Sequence, residues 1–201
     1  MAEAIFVKHL SAFGKIYSEE GGYIGEGEDV VIIDPIDGSD NLKSNFPYYG
    51  ASVALQKNGY IVAAVICNFA NGDVFEKSSA GHFKRSLLRS NENERVRINP
   101  HAEIGLFERA WSRPDIVATL KEEGMKFRSP GAVALSLAYA HEVRFMLFAG
   151  NLRPFDIAAG LYFCEDLYVY KSEDLIVVSH NKDVFAKILS IFDLQTALPK
   201  W

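Results

Sequence analysis

Val30-Val31-Ile32-Ile33 runs directly into Asp34-Pro35-Ile36-Asp37-Gly38-Ser39, and this junction constrains the chain more than any other stretch. The β-branched apolar run predicts a strand buried on both faces. Pro35 fixes its own φ and has no N–H to give a sheet, so the strand is expected to stop at Asp34. Asp34 and Asp37 can then point into one small volume. Gly38, lacking Cβ, lets an anion approach the backbone. Ser39 is placed to cap the short segment Asp40-Asn41-Leu42-Lys43, whose first N–H groups would face that anion.

Two carboxylates held that close raise one another's pKa unless a cation neutralises them. All-oxygen ligands suit Mg²⁺, which takes six oxygens at about 2.0–2.1 Å, several of them water. A metal beside an anion-binding backbone points to phosphate chemistry. The competing reading is an Asx-Pro turn with solvated acids, since Asp, Pro and Gly are common turn residues. The loop alone does not decide between the two.

Three other segments bear on the choice. Asp34-Pro35-Ile36-Asp37-Gly38-Ser39-Asp40-Asn41 resembles the metal-binding signature of the inositol monophosphatase superfamily, Asp-Pro-(Ile/Leu)-Asp-Gly-(Thr/Ser)-x-Asn. Ile16-Tyr17-Ser18-Glu19-Glu20 resembles that family's Gly-Glu-Glu segment, with Ser18 in place of glycine. Ser129-Pro130-Gly131-Ala132-Val133-Ala134-Leu135 resembles its Gly-Ser-Ala-Ala-Leu loop. Arg153-Pro154-Phe155-Asp156-Ile157-Ala158-Ala159-Gly160 resembles its Trp-Asp-x-Ala-Ala-Gly motif, with Phe155 replacing tryptophan. The four matches follow the family's order. The fold the resemblance implies is α/β (α+β), a layered α/β/α/β/α sandwich of the inositol monophosphatase and fructose bisphosphatase type, with a shortened N-terminal part. Family members carry a further helix and a Lys/Asp-containing segment ahead of the point where Met1 falls.

Composition is compatible with this. The chain has 201 residues, 49% of them apolar, enough for a real core. A net charge of −5 without a run of Lys and Arg argues against nucleic acid as a main partner. Cys67 and Cys164 each sit in apolar stretches and read as reduced core thiols. With no signal peptide and no long apolar segment in the sequence, a soluble cytoplasmic protein without a membrane partner is expected.

Periodicity predicts a helix over Ala2–Phe13, then strands at Val30–Asp34, Gly50–Gln56, Tyr60–Asn68 and Asp73–Lys77. Lys57-Asn58-Gly59 marks a hairpin. The polar stretch Arg89–Glu94 is the expected boundary between an N-terminal α+β lobe, 1–90, and a C-terminal α/β lobe, 91–201. Beyond it, strands are expected at Val96–Ile98, Gly105–Ala110, Arg144–Phe148 and Leu175–Ser179. Helices are expected at Pro114–Glu123, Gly131–His141, Phe155–Glu165 and Lys182–Phe192. The five histidines show no metal spacing.

Carried over residue by residue, the resemblance implies that Asp34, Asp37, the Ile36 carbonyl, Glu20 and Asp156 bind metal, two or three Mg²⁺ ions in all. Glu19 takes the place of Glu20 if the register slips by one. Asp156 would reach across from the C-terminal lobe. Gly38 and Ser39 would hold the phosphate through backbone N–H groups. Glu20, Asp37 and the Ser39 hydroxyl would serve the attack of water, and the Gly131-Ala132 backbone would meet substrate. On the residues alone, Glu19-Glu20 can also be a solvated pair, Asp156 a helix cap, and Gly131-Ala132 a helix start. Asn151 and Arg153 can be either pocket groups for a second anion or plain loop residues.

The expected function is a Mg²⁺-dependent, lithium-sensitive phosphomonoesterase acting on a small phosphorylated metabolite: an inositol monophosphate, a sugar phosphate or bisphosphate, or a nucleotide 3′-phosphate. The resemblance also implies a homodimer. Ala149 stands where inositol-selective members have a glutamate, which weakens inositol as the substrate. Glu165-Asp166-Leu167-Tyr168 replaces the family's Glu-Ala-Gly-Gly. The alternative from another class is a weakly catalytic or non-catalytic regulator that works through protein contacts.

Overall fold

The computed structural model describes residues 2–88 and 92–194. Its elements begin with α1 (Ala2–Leu10), β1 (Lys15–Ser18), β2 (Gly22–Ile24), β3 (Val30–Asp37) and α2 (Ser39–Lys43). Next come β4 (Gly50–Lys57), β5 (Tyr60–Asn68), β6 (Asp73–Ser78), β7 (Gly81–Ser86) and β8 (Glu94–Arg95). The remainder holds β9 (Gly105–Glu108), α3 (Pro114–Glu122), β10 (Phe127–Arg128), α4 (Val133–Ala138) and β11 (Met146–Ala149). The last elements are α5 (Pro154–Phe163), β12 (Tyr168–Lys171), β13 (Leu175–Ser179) and α6 (Lys182–Ile191). Among the described residues, no helix is long and apolar enough to cross a membrane.

Two compact units form. The first takes in Met1–Val96, Ala132–Leu135 and Arg153–Phe163, and the second the rest. The expected boundary at 90/91 falls on residues outside the described ones. Asp156, expected from the C-terminal lobe, belongs instead to the first unit. The physical reason is that α5 lies along β3, β4 and β5 rather than along the second sheet.

The first unit is built on an eight-stranded sheet in the order β2-β1-β3-β4-β5-β6-β7-β8, antiparallel except where β1 runs parallel to β3. Side chains alternate across a strand, so each face has its own cover. Ile16, Val31 and Ile33 are buried under Phe6, Val7 and Leu10 of α1, with Val53 and Leu55 beside them. Ser52 points the other way, and its hydroxyl donates to the Phe155 carbonyl of α5 at 3.0 Å. The hairpin read from Asn58-Gly59 is present. Both residues have positive φ, 50° and 86°, as a two-residue type I′ turn requires, and Lys57 pairs with Tyr60.

The second unit carries a five-stranded sheet, β10-β9-β11-β13-β12, parallel across β10-β9-β11 and antiparallel across β11-β13-β12. β9, β11 and β13 are buried along their whole lengths, as continuous apolar runs in a covered sheet should be. Ile116 and Leu120 of α3 and Val184, Phe185, Ile188 and Leu189 of α6 join Phe107, Leu147 and Val177 in one core. Cys67 and Cys164 form no disulfide.

Several local expectations need correction. The helix at the start ends at Leu10 and tightens into a 3-10 turn over Ser11–Phe13. Val96–Ile98 is not a strand; the chain pairs two residues earlier, at Glu94–Arg95. The Gly131–His141 helix is reduced to Val133–Ala138. β1, β2, β7 and β12 carry too few apolar residues in alternation to be read from sequence.

β3 does not stop at Asp34. Pro35 sits inside it, at an irregularity where Asp34 faces Ser52 but Asp37 faces Gly50. Three steps on β3 therefore match two on β4, a one-residue bulge, which is where a sheet accepts proline. Ser39 is likewise not a cap. Gly38 occupies the cap position with φ 84°, and Ser39 is the first helical residue.

Candidate metal centre

The bulge decides where the two aspartates go. In regular alternation, residues three apart face opposite sides of a sheet. Here Asp34 is level with Ser52 and Asp37 with Gly50, two residues that share a face. Both acids therefore lie on the side of β3 that α5 covers. Asp34 is only 2% exposed and Asp37 is also buried. The Asp34 Oδ1 accepts the Ile36 N–H at 2.9 Å, so the turn itself aims that carboxylate.

β1 contributes the next acid. Ile16 and Ser18 are buried while Tyr17 turns to the α5 side, its ring 5.0 Å from that of Phe155. The Glu19 N–H still reaches the Ile33 carbonyl, at 3.4 Å, so the ladder with β3 runs one residue past the strand. Alternation then puts Glu19 on the Tyr17 side and sends Glu20 the other way, into solvent. The resemblance implies Glu20 as the ligand; the strand phase brings Glu19 instead.

α5 supplies the third. Pro154 begins the helix, as proline does well at a first turn, and places Asp156 at its third position. There the helix dipole favours a negative charge. Ligand oxygens of Glu19, Asp34 and Asp156 all lie within 4.8 Å of one another. Asp37 is not one of the three; its Oδ2 accepts the Leu135 N–H at 2.9 Å.

One cation is built into the cluster. Arg153 donates from Nε to Asp156 Oδ2 at 2.8 Å and from Nη2 to Oδ1 at 2.9 Å, and from Nη1 to Glu19 Oε1. From the sequence, Arg153 reads as a loop residue before it reads as a pocket group. Its spacing of three from Asp156 at a helix start was the available signal. These carboxylates raise the Arg153 pKa further above its already high value. Asp34 is pushed up to about 7, first by burial and then by Glu19 and Asp156, against the lowering effects of the Ile36 N–H and Arg153. Three carboxylates share one guanidinium, and the charge is not balanced. An all-oxygen donor set, buried at Asp34 and Asp156 and half-buried at Glu19, with surplus negative charge fits a hard divalent cation such as Mg²⁺.

The phosphate-binding expectation falls on a tight loop. A Cβ at Gly38 would meet the Tyr48 carbonyl oxygen at 2.9 Å and the Ala132 Cβ at 3.1 Å, so only glycine fits there. Asn41 Nδ2 donates to that same Tyr48 carbonyl at 2.7 Å and clasps the loop. Ser39 is exposed, whereas Ala132 is buried. In the second unit, the Gly131 N–H is committed to Glu108 Oε2 at 2.9 Å.

The sequence profile of the inositol monophosphatase family matches residues 1–166. The chain belongs to the inositol monophosphatase family. Among family relatives, Nus factor SuhB of Xylella fastidiosa is 32% identical over 171 residues, which cover 80% of this chain and 62% of that protein. A fructose-1,6-bisphosphatase of Pyrococcus furiosus is 30% identical over 200 residues, covering 92% of this chain and 70% of the relative. The chain thus spans less than two thirds of the length of the SuhB relative. The crystal structure of extragenic suppressor protein SuhB from Bartonella henselae matches with a TM-score of 0.78 at 24% identity, over 98% of this chain and 84% of that one. That likeness is one of fold, and it bears out the family's mixed α/β class. The family is typically metal-dependent, in keeping with the acidic group described above.

Proposed function

We propose that this chain is a Mg²⁺-dependent phosphomonoesterase acting on a small phosphorylated metabolite. The observation that carries the reading is the convergence of Glu19, Asp34 and Asp156 within 4.8 Å. These three would hold the metal, with the Ile36 carbonyl and Asp37 as the further donors the resemblance implies. When bound, Mg²⁺ supplies a Lewis acid for the phosphoryl oxygen and lowers the pKa of a coordinated water.

The rest of the work falls to the chain itself. Gly38 and Ser39 would present backbone N–H groups to the phosphate, as the resemblance implies. The Ser39 hydroxyl and Glu19 would orient the attacking water. Asp34 would give up its proton as the cluster loads. Arg153 would retain part of the excess negative charge of Glu19 and Asp156.

For the substrate, a sugar phosphate or bisphosphate is favoured over an inositol phosphate. Ala149 is buried in β11 and has no polar atom to offer an inositol hydroxyl. The similarity to a fructose-1,6-bisphosphatase leans the same way. The similarity to Nus factor SuhB is the observation that favours a second reading, a regulator acting through protein contacts.

Phosphate release from a panel of sugar, inositol and nucleotide phosphates, with and without Mg²⁺, separates the two. Selective, Mg²⁺-dependent release is expected. Asp34→Asn should reduce it by more than about a hundredfold, beyond the 10–100-fold typical of outer-shell partners. A flat panel supports the regulator.

A further inference from the structure

Arg153 has more to do than neutralise a charge. All three of its guanidinium nitrogens are engaged, two on the two oxygens of Asp156 and one on Glu19. These two carboxylates are two of the three that define the cluster. The geometry points to Arg153 as a built-in competitor for the metal, a guanidinium that holds Glu19 and Asp156 together in the metal-free protein and gives up part of that hold when a divalent cation loads. This rests on reading Glu19, Asp34 and Asp156 as metal ligands.

Linkage sets the direction of the effect. An interaction made in the metal-free state and weakened in the loaded state lowers metal affinity by that difference in free energy. Each carboxylate oxygen has lone pairs enough for two partners, so sharing is sterically possible. Sharing is opposed by charge, because a guanidinium and a divalent cation on the same carboxylates repel at short range. Arg153 cannot escape by losing its proton, since a guanidinium stays charged. It can escape by moving. Its side chain is 43% exposed, so solvent is available to receive the charged end. Exposure separates this arrangement from a sealed structural ion pair, where the partner has nowhere to go.

Arg153→Met keeps the length and apolar stem and removes the charge. Mg²⁺ should bind chelator-treated R153M at least about tenfold more tightly than wild type by titration calorimetry, while the variant melts lower than wild type in EDTA. A clamp with a purely structural role gives lower stability and no gain in affinity. A group that serves only to bind a second substrate anion leaves Mg²⁺ affinity unchanged. Either result overturns the competitor.

Should R153M fail to fold, ¹⁵N spectra of the wild-type protein provide the second measurement. The Arg153 Nε–H resonance should move and exchange faster with solvent as Mg²⁺ is added, and an unaltered resonance overturns the inference. Failure of the underlying reading looks different. If neither wild type nor R153M takes up Mg²⁺ at millimolar concentration, the metal assignment goes and this inference with it. If wild type binds Mg²⁺ and R153M binds it no better, only the competitor falls.

Discussion

The two sheets of this protein invest differently in their interiors. In the second unit, β9, β11 and β13 are buried from end to end, and apart from Glu108 and Ser179 their side chains are apolar. The buried carboxylate there, Glu108, accepts hydrogen bonds from Gly131 and Ser136. In the first unit, Asp34, Asp37 and Asp156 are all buried and gather on one side of the sheet. Like charges in that position lower stability, because desolvation and mutual repulsion act together. One sheet is thus built as a core and the other as a surface prepared for a cation. The stability of the second kind is conditional on what binds.

The largest effect should come from cutting into the apolar sheet. Leu147, wholly buried in the core shared by α3 and α6, should cost about 2–5 kcal/mol on truncation to alanine. Urea unfolding checks this, and activity per folded molecule should be unchanged. Equal losses of stability and specific activity would erase the division between the sheets.

The next effect is the pH dependence of the metal-free protein. Asp34 has its carboxyl raised to about 7 against an ordinary 3.8, so the native state keeps a proton that the unfolded state has lost. Its contribution to stability is full below pH 4 and disappears as pH rises through 7. Its size is on the order of a few kcal/mol. Melts in EDTA should therefore fall between pH 5 and pH 8, Asp34→Asn should flatten that slope, and Mg²⁺ should reverse it. A slope that survives Asp34→Asn would assign the effect to another group.

The smallest contrast is between adjacent glutamates. Glu19→Gln should weaken Mg²⁺ binding by at least about tenfold, in the range seen when groups around a metal are altered. Glu20→Gln, altering an exposed residue, should leave it within about twofold, as surface changes usually do. The reverse order would restore the ligand expected from the sequence.

That pair also shows what could be read in advance. β3, β4, β5 and β6 announce themselves through β-branched runs and an Asn-Gly turn, and Asp34 and Asp37 follow because they are contiguous with them. Glu19 was ambiguous for a physical reason. Choosing between neighbouring glutamates requires the phase of β1, and Lys15–Ser18 is too short and too mixed to look like a strand. β7 stayed hidden because Gly81–Ser86 is half-buried throughout, with no alternation to detect. Asp156 was identifiable as a residue but not in its allegiance. Which sheet α5 packs on depends on side-chain fit over long sequence separations, including the Ser52 hydroxyl on the Phe155 carbonyl. Arg153 was beyond local pattern, since its second partner lies 134 positions away.

The extra residue in β3 beside Pro35 has a consequence of parity. Two acids separated by an odd interval can cooperate on a pleated ribbon only if one step falls out of count. Running the same residues against β4 without that bulge would swing the second acid into the apolar layer beneath α1. The chemistry of this protein is therefore written in arithmetic as much as in residue type, and the proline that looks like a stop sign sits at the step that falls out of count.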